Sequence, residues 1–490
     1  MEANATHEVP DPRRWRALAL LCGAFFMVIL DATIVIIALP SIGADLHFSE
    51  QTLQWVLSAY ALTYGGLLLL GGRAADLLGR RRVFTAGVVL FTAASLVCGL
   101  AWSPAALLAA RVVQGVGAAI MTPTALSIIA TTFTDPAERT KALGIWGALG
   151  GIGATAAWLI GGPLVSGPGW RWIFFINIPV GMAALALSPA LLRESRAEMM
   201  RRSYDPAGAL TITGALVLIV YAAVKAPQYG WGDARTILVL AGSALLLVAF
   251  VVIESRHHAP LVPLRILRSR TLVGANSVML LVATVAVGMP FVLTLYAQRV
   301  LGYSALKFGL GSVVLAIAVT VGAIVAQTAV PKVGFRLVAA TGTVLIGAGS
   351  LVLAQLSVHG SYFPDIFFGL LLGGLGIGLA FVTATVAALS GVAEREAGLA
   401  SGLSNTALQI GGALGVAILT SVAISRSRNY LTAHASAHPL LVLTHGYQAA
   451  FIACVVLAGI GLVLALLLLR RPRTAHQERL EPAPAASAAN

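Results

Sequence analysis

Apolar residues run along this chain in stretches of about twenty, separated by short polar and basic clusters. A helix rises 1.5 Å per residue, so each stretch is long enough to cross a hydrocarbon layer of about 30 Å. The pattern predicts spans at 17–40, 52–72, 83–102, 105–130, 141–166 and 171–192, then at 206–226 and 235–253. Six more follow at 272–296, 305–328, 335–357, 364–389, 399–425 and 446–470, fourteen in all. One acid breaks the first run: Asp31 lies roughly 13 Å by helix rise from the Pro40 end and so well inside the membrane. An acid at that depth costs about 2.5 to 3.5 kcal/mol on insertion scales, and such residues are by default functional. The alternative is an aspartate that only hydrogen-bonds a neighbouring helix and stays neutral.

Composition makes the membrane reading firm. The 490 residues are 58% hydrophobic and 10% charged, with a mean hydropathy of +0.89. Soluble domains do not reach such values. A net charge of +13 would suit a nucleic-acid partner, but the basic residues are scattered between the apolar runs and form no stripe. With both termini on one side, 24 of the 32 Lys and Arg share that side, 7 lie opposite and Arg111 lies within a helix. The positive-inside rule then makes both termini cytoplasmic. Arg13, Arg14 and Arg16 precede the first run as in a secretory signal, but that run is too long and further spans follow, so it is read as an uncleaved helix.

Cys22, Cys98 and Cys454 fall within apolar runs and have no ligand-like spacing, so neither disulfides nor a metal site is expected. His434, His438 and His445 belong to an outer loop. No hydrolase triad or phosphate-binding loop appears, and the chain is not expected to be an enzyme. Basic connections at 193–202 and 256–270 flank spans seven and eight. The expected organisation is therefore a six-helix bundle at 1–195, two inserted helices at 196–262, a second six-helix bundle at 263–472 and a disordered cytoplasmic tail at 473–490. Glycines four apart, among them Gly147 with Gly151 and Gly411 with Gly415, suit close helix contacts.

Between spans two and three, residues 72–82 read Gly-Arg-Ala-Ala-Asp-Leu-Leu-Gly-Arg-Arg-Arg. Charge alone would hold this loop inside at any spacing, whereas the fixed order asks for a tight turn at Gly79 and an acid set among cations. The stretch resembles the signature loop of the major facilitator superfamily, and the helix count points to its fourteen-helix drug:proton antiporter branch. Leu30, Asp31, Thr33, Ile34, Val35, Ala38, Leu39 and Pro40 follow that branch's first-helix pattern, while Ile36 stands where the branch usually has Asn, so a polar neighbour of the acid is missing. Arg111, Gln114, Gly115 and Gly117 are similar to its fourth-helix motif, and residues 170–181, Trp-Arg-Trp-Ile-Phe-Phe-Ile-Asn-Ile-Pro-Val-Gly, to its sixth-helix entry. The antiporter motif of helix five is represented by Gly147, Gly151, Gly161 and Gly162, but Ala157 and Trp158 replace the usual Gly-Pro, so its kink is not encoded.

The resemblance implies an all-α major facilitator fold of 6+2+6 helices and a multi-pass cell-membrane protein. It also implies proton-driven export of lipophilic drugs by alternating access, with the proton gradient in place of a cofactor. Asp31 and Arg111 would couple the proton; their depths, each counted from an outer helix end, are similar. Gly72, Asp76, Gly79, Arg80 and Arg81 would form a latch between the halves in the outward-facing state. Asp31, Trp55, Tyr60, Gln114, Asn405 and Gln409 are the candidate substrate contacts. With only Asp31 in the membrane interior, substrates should be neutral, zwitterionic or singly cationic, a cation competing with the proton for that acid. Partners are the substrate, the proton and the bilayer; no nucleic acid is expected, and the chain is expected to act as a monomer. Export of an endogenous metabolite or self-made antibiotic, or proton-coupled uptake, are the alternatives.

Overall fold

The computed structural model describes residues 12–195, 205–256, 264–390, 392 and 397–469. The expected boundaries at 195/196, 262/263 and 472/473 and the tail at 473–490 adjoin or lie within stretches outside the described residues. Every regular element among the described residues is helical. The first six crossings are α1 (Arg14–Asp45), α3 (Trp55–Leu78), α4 (Arg80–Gly99), α5 (Pro104–Thr132), α6 (Pro136–Ser166), and α7 (Trp172–Phe175) continued by α8 (Asn177–Leu191). A single turn, α2 (Glu50–Leu53), precedes α3. Then come α9 (Pro206–Tyr229) and α10 (Ala234–Arg256). The last six are α11 (Arg270–Arg299), α12 (Ala305–Val333), α13 (Phe335–Leu353), α14 (Phe367–Ser390), α15 (Ala397–Ala433) and α16 (Pro439–Leu468). Fourteen of these crossings are long and apolar enough to span a membrane.

Helix ends differ from the apolar runs for a physical reason. The apolar count marks only the hydrocarbon-matched part, whereas backbone hydrogen bonding carries α1 through Pro40 to Asp45 and α15 as far as Ala433. A proline inside a membrane helix is tolerated when neighbours satisfy the freed backbone groups. Pro40 has no N–H for the Ile36 carbonyl; one residue on, Gln298 Nε2, from the other half of the chain, donates to the Ile37 carbonyl at 3.1 Å. Helix α6 runs without a break through Ala157 and Trp158.

The helices of the first six crossings pack on one another, as do those of the last six. The two groups meet along two lateral seams, α3 against α15 and α6 against α12, with α1 against α11 between them. The inserted α9 lies over the first seam: Leu62 of α3, Val220 and Ala223 of α9, and Ala413 and Ala417 of α15 form one buried apolar cluster. Helix α10 packs on α9.

The end of the molecule toward Pro40 of α1, which the positive-inside reading places outside, is shut. Residues 34–39 of α1 and 288–297 of α11 are buried throughout. Toward the other end, no neighbour lies within 4 Å of a Cβ built at Gly144 or Gly147 of α6.

Candidate functional site

Asp31, Arg111 and Gln114 are completely buried in the first bundle, together with Ser95 and Asn177. Arg111 Nη1 donates to Asp31 Oδ2 at 2.5 Å and to Gln114 Oε1 at 2.7 Å. Gln114 Nε2 then donates to Asp31 Oδ1 at 2.9 Å and to Ser95 Oγ at 2.8 Å. Asn177 Nδ2 repeats that pair of contacts, at 3.0 Å to Asp31 Oδ1 and 3.0 Å to Ser95 Oγ. The acid thus accepts three hydrogen bonds, from α5 twice and from the first residue of α8. The guanidinium is steered by a fourth helix: its Nε donates to the Val56 carbonyl of α3 at 2.9 Å, and its carbon lies 4.2 Å from the centroid of the Tyr60 ring. Arg111 Nη2, Asn177 Oδ1 and the Tyr60 hydroxyl are buried and have no partner.

Two buried charges survive in a low-dielectric interior only when paired and hydrogen-bonded. That condition is met here, and it makes the pair a sensitive one. Neutralising Asp31 would leave the Arg111 cation, held by α5 and by the Val56 carbonyl of α3, enclosed without a counter-charge. The polar neighbour missing at Ile36 is supplied from elsewhere: Ile36 is buried among apolar residues, and the amides of Gln114 and Asn177 take its place beside the acid.

The substrate candidates separate. Gln114 belongs to the buried cluster, and Asp31 likewise has no exposed surface, so in this conformation neither reaches the space between the bundles. Tyr60 is stacked on Arg111 and buried. Trp55 packs with Tyr221 of α9, ring centroids 6.5 Å apart, on the side of the seam that carries the inserted helices. Asn405 and Gln409 are half-buried on α15. Gln409 packs against Gly65 of α3, where an added Cβ would lie 2.6 Å from the Gln409 Cβ, and Asn405 Nδ2 donates to the Ser401 carbonyl at 3.2 Å.

In the loop between α3 and α4, Gly79 has φ +108°, a conformation that favours glycine, and the carboxylate of Glu194 lies against it, 2.6 Å from where a Cβ would be. Glu194 accepts from the backbone N–H of Arg81 at 3.2 Å and of Arg82 at 3.3 Å, placing an acid on the N-terminus of α4. The Arg80 backbone donates to the Ser195 carbonyl at 3.0 Å. These contacts lie within the first bundle. Gly72 packs on Pro123, and the side chain of Asp76 lies outside the described residues.

The glycines of α6 divide between two neighbours. A Cβ at Gly161 would come within 2.7 Å of Ile37 on α1, whereas one at Gly162 would come within 2.9 Å of the Leu306 Cα on α12. A Cβ at Gly151 would lie 3.3 Å from Thr320 Oγ1, and at Gly147 it would meet nothing within 4 Å. Trp158 is buried at the same seam, its ring edge-on to Phe308 with centroids 6.0 Å apart.

Ser95 and Asn177 were not singled out by sequence reasoning, although each is a polar residue in or entering an apolar run. The link from Gln114 to Arg111 was available, since residues three apart share a helix face.

Comparison with known proteins agrees with this architecture. Residues 21–416 match the family model described as Major Facilitator Superfamily. The chain is 39% identical to the puromycin resistance protein pur8 of Streptomyces alboniger over 471 residues, 95% of this chain and 93% of that one. It is 39% identical to the cephamycin export protein CmcT of Amycolatopsis lactamdurans over 83% of this chain and 84% of the other. It is 37% identical to the tetracenomycin C resistance and export protein of Streptomyces glaucescens over 84% of this chain and 77% of that one. A solved bacterial homolog of the human lysosomal transporter Spinster, inward-facing and unoccupied, has a similar fold, with TM-score 0.65 at 19% identity over 96% of this chain and 100% of its own. The protein is a multi-pass membrane protein of the Major Facilitator Superfamily, in the branch that includes drug and antibiotic export and resistance proteins.

Proposed function

We propose that this protein exports lipophilic drugs or antibiotics from the cytoplasm in exchange for protons, by alternating access between its two bundles. The observation that carries the reading is the fully buried Asp31 to Arg111 pair, closed by Gln114 and Asn177, in the first bundle of a major facilitator fold. Proton binding at Asp31 breaks the charge balance of a site held by α1, α5, α3 and α8. Because α3 borders one seam and α1 faces α11, a rearrangement there reaches the surface on which the halves meet. A proton can shift the conformational equilibrium only through such a difference between states. Coupling is therefore indirect: the proton occupies Asp31 inside the bundle, and the substrate occupies the space between bundles. The names of the relatives, which refer to puromycin, cephamycin and tetracenomycin C, favour an antibiotic as cargo. Both termini lie in the cytoplasm, the energy source is the proton gradient, and the protein acts as a monomeric carrier, not as an enzyme.

Inverted membrane vesicles with an acidified lumen test this. Wild-type protein is expected to accumulate puromycin in the lumen, and Asp31→Asn is expected to be inserted but inactive. Proton-driven accumulation by Asp31→Asn, or loss of puromycin from acidified wild-type vesicles, overturns the reading.

A further inference from the structure

Two tyrosines of α3 stand between the buried ion pair and the second bundle. Tyr60 and Tyr64 are four residues apart and so share one face of the helix, with ring centroids 5.8 Å apart. Both are buried. Tyr60 lies against the Arg111 guanidinium, and its backbone is pinned: a Cβ at Gly115 of α5 would lie 2.7 Å from the Tyr60 carbonyl and closer still to Thr63 Oγ1. With the backbone fixed, the ring follows the arginine only by turning about its own side-chain bonds, and Tyr64 is packed beside it. Arg111 Nη2 and the Tyr60 hydroxyl, on these adjoining side chains, are both buried and unpartnered. A buried donor and a buried acceptor are costly while unpaired, so a state that pairs them is favoured once Asp31 stops holding the guanidinium.

At the other end of this pair, the Tyr64 hydroxyl has two polar neighbours, Thr122 of α5 and Gln409 of α15. Gly65, the next residue, lets α15 come that near: a Cβ there would lie 2.6 Å from the Gln409 Cβ, and its carbonyl accepts from Thr406 Oγ1 at 3.2 Å. Tyr64 follows the first residue of α3 by nine positions and Gln409 that of α15 by twelve, roughly 14 and 18 Å from opposite sides by helix rise, so they meet near the middle of the membrane. The charges around Asp31 are few. Arg111 comes from α5 and Tyr60 from α3, and Cys98 of α4 reaches the acid through Gln114, 3.7 Å from its Sγ. Helix α8, α6 from Leu143 to Gly162, α11 from Thr271 to Gln298 and α12 from Phe308 to Pro331 carry no charge.

We propose that Tyr60 and Tyr64 are positioning residues that carry the protonation state of Asp31 across the seam, from Arg111 to Gln409 of the second bundle. A proton on Asp31 removes the counter-charge of Arg111. Nη2 then donates to the Tyr60 hydroxyl, the Tyr60 ring turns with it, and the Tyr64 ring packed beside it draws its hydroxyl away from Gln409. Loss of the proton reverses each of these moves. The relay breaks a polar contact between the bundles at mid-membrane in one protonation state and restores it in the other, which is the difference between states that a proton needs if it is to shift them. It deepens the coupling proposed above and rests on it. Tyr60 and Gln409, expected as substrate contacts, here answer to the proton.

The test uses the full chain in liposomes, with Cys22, Cys98 and Cys454 replaced by alanine and spin labels at the outer ends of α6 and α12, whose distances give the ratio of outside-closed to outside-open protein. In the otherwise wild-type chain that ratio is expected to change several-fold from alkaline to acidic pH, and in Asp31→Asn not at all. Tyr64→Phe keeps the ring and loses only the hydroxyl, and Gln409→Leu removes its partner. Each is expected to lose most of the pH response, and the double variant to lose no more than either alone. Thr122→Val, which removes the neighbour inside the first bundle, is expected to respond as the wild type does. A Tyr64→Phe protein with the wild-type response overturns the relay alone, as does a loss in Thr122→Val as great as in Gln409→Leu. A wild-type ratio that ignores pH, or an Asp31→Asn ratio that follows it, refutes proton coupling at Asp31 and the relay with it.

Discussion

Trp158 stands where the resembled branch carries Gly-Pro, and it closes the outer end of the α6 to α12 seam. Its ring is buried against Phe308, and both side chains are 3% exposed. When the outer side opens, that contact must part, so the indole stabilises the outside-closed state over the outside-open one. An edge-to-face aromatic pair contributes about 0.5 to 1.5 kcal/mol beyond its area. Deleting a buried tryptophan from a soluble core costs about 3 to 5 kcal/mol, but lipid removes much of the hydrophobic share of that figure for a membrane protein. Between these limits, Trp158→Ala should weaken the closed state by about 1 to 3 kcal/mol, a shift of about 5- to 150-fold in the ratio of the two states. Pulsed electron resonance between spin labels at the outer ends of α6 and α12 reads that ratio directly in liposomes. Wild-type protein is expected to show mainly the short distance, Trp158→Ala a new long-distance population, and Trp158→Phe an intermediate result. A folded, inserted Trp158→Ala protein with an unchanged distribution would refute the assignment of the indole to the outer closure.

Further outcomes follow from the same contacts. Gly162→Ala forces a methyl to within 2.9 Å of the Leu306 backbone and should also populate the long distance, since overpacking costs about 1 to 3 kcal/mol. Asp31→Asn leaves Arg111 buried without its counter-charge and should lower stability by about 3 to 5 kcal/mol; adding Arg111→Met should restore the melting temperature in detergent but not proton-driven export. Gln114→Leu should reduce export of every substrate alike because it loosens the acid, and a selective change in drug profile would return Gln114 to the cavity. Glu194→Ala uncaps α4 and should cost about 0.5 to 2 kcal/mol in thermal unfolding with little change in the affinity for a drug.

The fourteen crossings were legible because hydrocarbon thickness leaves few other readings for runs of that length and apolarity. Helix ends were not, since Pro40 looks like a stop and yet lies within α1. The acid and its arginine could be paired by counting depth along two helices. Azimuth is harder: helices apolar on all sides do not show which face meets a neighbour, so nothing local announced that Asn177 of α8 and Ser95 of α4 converge on Asp31. For the same reason Trp55, a large aromatic on a helix beside the cavity, could not be told from one turned toward α9. The conformational state is a property of the seams and has no local signal at all.

Helix α9 has a mechanical consequence. It touches both halves at once, bonded to α15 through Ser421 and resting on the glycine surface of α3 at Gly66. Joints of that kind slide without parting. A swing that draws α6 away from α12 while keeping those two contacts turns about an axis near the covered side, as a door turns on the edge where its leaf is hung.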